Sequence, residues 1–327
     1  MDRLLIPVLT VAAAEVLAVL ARRPGLEIVA VVVDVTGDRG LDAVHQAALD
    51  AGARRCHVVD KHEELADAVL WPALRAGSLG VPGEPVLTAL SVPVVAEAVV
   101  EISRREQATG VAVWLDDLRD RQRLRALVRD LAPTLGLVAV TAPAGATIAS
   151  VGSHVGVERS ASGQGRSGVT RNLWARIDTL GSGTPAVRPE AAFVDLRIGF
   201  ARGVPMSLNG VTLAPAALIQ RLDAVVGGAG AGAWTVRGSA SAASWHVQAP
   251  AALALAMAME TLTARTFDAR TAEVAATMAE AYAEVIRDGA WFSPVRAALD
   301  AFVDRVLAAA AGEVGLRIVN GRIEVQA

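Results

Sequence analysis

One cysteine, Cys56, stands in 327 residues, which excludes a disulfide-stapled scaffold and a cysteine-rich zinc module. Lysine is as scarce: of 31 basic residues only Lys61 is lysine, so phosphate chemistry that needs a lysine has one candidate. Aromatics make up 4% of the chain, and each tryptophan therefore stands out. No apolar run reaches the ~20 uninterrupted residues of a spanning helix. The closest approach, Leu4 to Leu20, carries Pro7 and Glu15. With Asp2 and Arg3 cancelling, it is a weak signal peptide as well, and it reads instead as a buried strand turning into a core-facing helix. A formal charge of −3 argues against a nucleic-acid partner. The expectation is a cytoplasmic protein with neither nucleic acid nor membrane as partner. What is present, 53% hydrophobic and 20% charged residues with a mean hydropathy of +0.41, is the composition of a packed globular protein long enough for about two domains.

Up to about residue 142 short β-branched runs alternate with helical ones. The strand-like runs are Leu4 to Val8, Glu27 to Val33, Cys56 to Val59, Val111 to Leu115 and Gly136 to Val140; helical stretches run from Leu41, Glu63, Val94 and Arg121. Continuous apolar strands separated by helices indicate a parallel sheet covered on both faces. Ligands in such folds bind beyond the carboxyl ends of the strands. Residues 143 to 170 shift to Gly, Ser and Ala without periodicity, which suits a linker or a loop over a site. Beyond them, Phe193 to Phe200 and Val204 to Leu208 read as an antiparallel meander. Pro215 opens a helix, Pro250 begins a helical region to about Ala311 broken near Ser293, and two last strands pair through Asn320-Gly321. The predicted organisation is an α/β domain over 1–150, a linker or lid over 151–170 and an α+β domain over 171–327.

The phosphate-loop, dinucleotide, zinc-protease and nucleophile-elbow signatures are absent. His57, Asp60, His62, Glu63 and Glu64 cluster around the third strand's end in a pattern that suits a helix start, with Asp60 capping, better than a metal site. Neither a metal nor a cofactor is expected. Asp116 and Asp117 follow the fourth strand, where sites form. The mixed-sign run they open, through Arg119, Asp120, Arg121, Arg123, Arg125 and Arg129, reads as a solvated helix face. Trp245-His246 pairs an indole with an imidazole that could line a pocket.

Several stretches together resemble one family. LEIVAVVVDV from Leu26, ALDAGARRCHVVD from Ala48, WPALRAGSL from Trp71 and LTALSVPVVAEAVVEI from Leu87 are similar to argininosuccinate synthase. So are Asn172-Leu173-Trp174, GVPMSLNG from Gly203, Pro250 with the helix behind it, and WFSPVRAALDAF from Trp291. The resemblance implies a PP-loop ATPase type, nucleotide-binding-like domain with a parallel sheet, followed by an α+β synthetase-like domain. It also implies an activity in which ATP activates the ureido oxygen of citrulline, pyrophosphate leaves, and aspartate attacks.

Most of the residues that serve that activity in the family do not recur here. The family's pyrophosphate cradle, S-G-G-x-D-x-S, falls on Val8-Leu9-Thr10-Val11-Ala12-Ala13-Ala14. Its second glycine-rich loop falls on Val113 to Arg125, where only Gln122 matches. S-x-D-x-N becomes Gly168-Val169-Thr170-Arg171-Asn172, and G-x-K-S-R-x-x-Y-E-x-P becomes Ala240 to Pro250. Thr88 and Asp34 persist. The reading is therefore a family member without ATP-dependent ligase activity. It is repurposed as an ATP-independent enzyme or binder for a more apolar small molecule in the inter-domain cleft, in specialised metabolism; the alternative is a non-catalytic regulatory or scaffolding pseudoenzyme. Asp116 and His246 are the candidate proton-transfer groups, and Thr88, Trp114, Asp117, Ser244 and Trp245 the candidate ligand-binding ones. If the cleft is filled instead, Leu9 and Trp114 fill it. The resemblance implies a homo-oligomer, although the family's tetramer-assembling C-terminal arm lies beyond the register of Ala327.

Overall fold

The computed structural model describes residues 2–9, 13–37, 41–80, 86–87, 89–115, 118–139, 169–179, 193–237 and 244–326. Its first half runs β1 (Asp2–Pro7), α1 (Ala13–Ala21), β2 (Leu26–Asp34), α2 (Leu41–Asp50) and β3 (Arg55–Asp60). Next come α3 (His62–Leu65), a π-helical turn (Ala66–Leu70), α4 (Trp71–Arg75), α5 (Val92–Arg105), β4 (Gly110–Val113), α6 (Leu118–Leu131) and β5 (Gly136–Ala139). The five strands form one parallel sheet in the order β3-β2-β1-β4-β5. Side chains alternate across a strand, so Leu5, Val29, Val31 and Val33 enter one cluster with α5 and α6, while Leu4, Ile6, Ile28, Ala30 and Val32 enter the other with α1 and α2. Both faces are thus buried, as the unbroken β-branched runs predict. The chain order reverses between β1 and β4, and in open α/β sheets the crevice beyond the carboxyl ends at such a point is the usual ligand site.

The second half continues with β6 (Val169–Arg171), β7 (Arg176–Thr179), β8 (Phe193–Ala201), β9 (Val204–Leu208), β10 (Val211–Thr212), α7 (Pro215–Gly228), β11 (Ala233–Arg237) and β12 (Ser244–Gln248). It closes with α8 (Pro250–Thr266), α9 (Ala269–Asp288), α10 (Pro294–Val306), β13 (Gly312–Val319) and β14 (Arg322–Val325). The expected meander is one five-stranded sheet, β10-β9-β8-β13-β14. Its tight turns use positive φ at Asn209-Gly210 and Asn320-Gly321, the conformation that matches strand twist in a two-residue hairpin. Leu196, Ile198, Phe200, Leu218 and Leu222 join the α5-side cluster, so one core runs through both halves.

The structure departs from the sequence reading in three places. A four-stranded sheet, β11-β12-β7-β6, went unpredicted because its strands are only three to five residues long. The helical region after Pro250 breaks at Phe267 as well as near Ser293: Phe267 is extended, and Asp268 caps α9 by accepting from the Thr271 amide at 2.7 Å. The charged run of α6 is not wholly solvated. Asp120 and Arg123 are buried and paired at 2.6 Å, and Arg123 Nε donates to the Arg287 carbonyl, tying α6 to α9. The expected linker or lid lies outside the described residues, except Val169 and Thr170, which begin β6. Among the described residues no helix is long and apolar enough to cross a membrane.

Candidate functional site

The Val8 amide donates to the Val31 carbonyl at 2.9 Å, extending the pairing past Pro7. Val8 is fully buried in the α1-side cluster, and Leu9, 5% exposed, lies in the α5-side cluster with Val92 and Val113. Ala13 and Ala14 are buried in the first turn of α1. A phosphate cradle needs amides that face outward, with no side chain over them. Here every described position of that register, 8, 9, 13 and 14, carries a side chain packed into the core; Thr10, Val11 and Ala12 lie outside the described residues.

Trp114 is buried just past the carboxyl end of β4. It follows β4 directly, is 2% exposed, and shares a packed cluster with Val8, Ala13 and Val16. Arg121 of α6 lays its guanidinium carbon 3.7 Å from the indole centre while its Nε donates to the Leu115 carbonyl. A guanidinium on the face of a desolvated indole is held by the ring quadrupole. Among the described residues the indole N–H has no acceptor.

The residues predicted for the site are only partly placed. Thr88, Asp116 and Asp117 lie outside the described residues. Ser244, Trp245 and His246 sit on β12 between β11 and β7, with His246 opposite Asp178 and Thr235 in the register and half-buried. Backbone groups engage Asn172. Asn172 donates from Nδ2 to the Leu87 carbonyl at 2.7 Å, and its Oδ1 accepts from the Trp174 and Ala175 amides at 2.9 Å. Those bonds, with Leu173 N to Val35 O, pin the 172–175 turn to the end of β2. Trp174 packs edge-on against Trp71 at 6.2 Å in the core, so its fate is packing.

The His57 to Glu64 cluster separates into two. His57 and Arg55 reach the Glu106 carboxylate at 2.8 and 3.0 Å, beside Arg3, which donates to the Glu106 carbonyl. Burial alone would raise the Glu106 carboxyl, but the hydrogen bonds and charges of His57 and Arg55 outweigh it and hold the group below the ordinary carboxylate range. Between them, burial pushes the Cys56 thiol up to about 11, far from the range of a reactive thiolate. At the other end, His62 stands between Asp34 and Asp60, 2.9 and 2.7 Å from their oxygens. Asp34 also accepts from the Thr36 and Gly37 amides, and Glu63 accepts from the Ala216 amide of α7. A hollow of about 370 Å³ adjoins His62 and Gln220. Asp60 precedes the α3 cap position, Lys61, and accepts from the His62 amide rather than capping in place. Among the described residues no group of three or more potential ligands is arranged to hold a metal ion.

Two family profiles match this chain in order. Residues 10–149 match the Arginosuccinate synthase N-terminal HUP domain, and residues 183–327 match the Arginosuccinate synthase C-terminal domain. The chain belongs to the argininosuccinate synthase family. An argininosuccinate synthase of Dehalococcoides mccartyi strain 195 is 29% identical to it over 338 aligned positions, covering 94% of this chain and 81% of the relative. The enzyme of the same name from strain CBDB1 is 28% identical over the same shares. The matched spans take in β2 to β5, the α7–α10 region and the final hairpin. Leu9, which precedes the first matched residue, and Trp114 are both core residues.

Proposed function

We propose that this member of the argininosuccinate synthase family does not carry out ATP-dependent C–N ligation and acts as a non-catalytic binding protein. The observation that carries the reading is the packing at the reversal point of the sheet. Val8, Leu9 and the Arg121-capped Trp114 are buried where a nucleotide's phosphates would need open backbone amides. Burying a triphosphate among such side chains without donors costs several kcal/mol per unpaired group. Asn172, engaged by three backbone partners, further weakens the grip on an amino-acid substrate.

A second reading is favoured by the apolar character of the same positions, Val8, Leu9, Val92, Val113 and Trp114. If Trp114 and Arg121 swing aside, the cleft would suit an apolar metabolite oriented by a few polar groups. Thr88, Asp117, Ser244 and Trp245 would then line it, with Asp116 and His246 as proton-transfer groups. Calorimetric titration with Mg-ATP and, separately, with apolar and aromatic metabolites tests both. No heat with ATP is expected. Saturable ATP binding at micromolar concentration overturns the proposal, and saturable binding of an apolar metabolite alone moves the assignment to the second reading.

A further inference from the structure

α8 and α9 diverge from the extended Phe267, and no residue of α9 before Ala279 is buried. The N-terminal half of α9 is only partly packed, through Val274, Ala275 and Met278, and leaves an alanine-rich wall open at Ala269, Ala272 and Ala276. Between it, α8 and α4 lies a hollow of about 840 Å³. Its floor carries Leu79, Leu253, Met257 and Phe267, all half-buried. Methionine and leucine in an open groove adapt to side chains of varied shape, and a helix laid in such a groove is a recurrent recognition mode.

Charge selects among the partners such a groove could take. Four charged residues line it: Glu260, Asp268, Glu280 and Arg75. Arg75 is neutralised by Asp304 at 2.7 Å. The Thr271 amide beside Asp268 holds that carboxyl below its ordinary range, and all three acids are exposed. An apolar floor inside an acidic rim attracts a cationic helix. We propose that the α4–α8–α9 groove is a docking site for a basic amphipathic helix of another protein. The groove shares no lining residue with the packed reversal point, so the inference stands whether or not the loss of ligation holds.

The test uses the full chain and a fluorescent synthetic amphipathic helix of leucine and lysine, about four turns long, read by anisotropy. Saturable binding that weakens with salt is expected. Charge reversal of the rim, Glu260→Arg with Glu280→Arg, should weaken it about tenfold or more. Obstruction of the wall by Ala276→Arg, at an exposed position, should do the same without altering the circular dichroism. A scrambled peptide of identical composition should bind at least about tenfold more weakly. Absence of binding, equal binding of the scrambled peptide, or affinity unchanged by all three substitutions overturns the proposal. So does sedimentation showing a dimer that excludes the peptide and that Ala276→Arg dissociates, since a second copy then covers the groove.

Discussion

Replacing Trp114 by alanine separates a filled crevice from an open one. The indole is 2% exposed and lies in a cluster with Val8, Ala13, Val16 and Leu17. Truncating a tryptophan in such a core costs about 3–5 kcal/mol, the transfer loss plus the cavity left behind. A domain of total stability of about 5–15 kcal/mol would lose a large share of it. Arg121 adds a term of its own, because a desolvated guanidinium–indole stack contributes about 0.5–2 kcal/mol. In a double-mutant cycle of Trp114→Ala and Arg121→Ala, that coupling should appear as a combined loss smaller than the sum of the two single losses. Urea denaturation followed by circular dichroism measures all four proteins. The same indole lining an open cleft would be wetted on one side, and its removal would move stability by no more than about 0.5 kcal/mol. A loss below about 1 kcal/mol, or no coupling to Arg121, refutes the packed-crevice reasoning.

Three further outcomes follow from other contacts. Glu106 has a folded pKa below its unfolded one, so its contribution is complete above the unfolded carboxylate range and fades as pH falls through the folded value. The stability gap between wild type and Glu106→Gln should therefore be wide at neutral pH and close in acid, and a gap independent of pH would contradict the assignment. Cys56, raised to about 11, should react with a thiol reagent at pH ~8 far more slowly in the folded protein than in the denatured chain; equal rates contradict this. Asp120→Ala leaves Arg123 buried without its 2.6 Å partner and should cost about 3–5 kcal/mol, whereas replacing both by apolar residues of similar size should cost far less; equal costs would place the pair in solvent.

The parallel sheet was legible because fully buried strands leave unbroken runs such as Val29 to Val33, and the hairpins because Asn209-Gly210 and Asn320-Gly321 supply the φ > 0 that the turns require. Burial of charge was not. Asp120 and Arg123 sit three apart in a run with the alternating signs of a solvated face, and only the approach of α9 through the Arg287 carbonyl encloses them. The His57 to Glu64 cluster looked like one site because the residues are close in sequence. β3 separates them by length, sending His57 to Glu106 just past α5 and His62 to Asp34 on β2. At the crevice, the sequence could name Leu9 and Trp114 as possible fillers of an emptied cradle. It could not supply Arg121, because the stack depends on where α6 begins.

The central claim, that the crevice at the β1–β4 reversal is core and not a pyrophosphate cradle, is tested most directly by turnover. The purified chain is incubated with ATP, magnesium, citrulline and aspartate, and pyrophosphate is followed alongside an argininosuccinate synthase such as the Dehalococcoides relative. The account predicts pyrophosphate release from the relative and none above background from this chain. Release from this chain that depends on both citrulline and aspartate would contradict it.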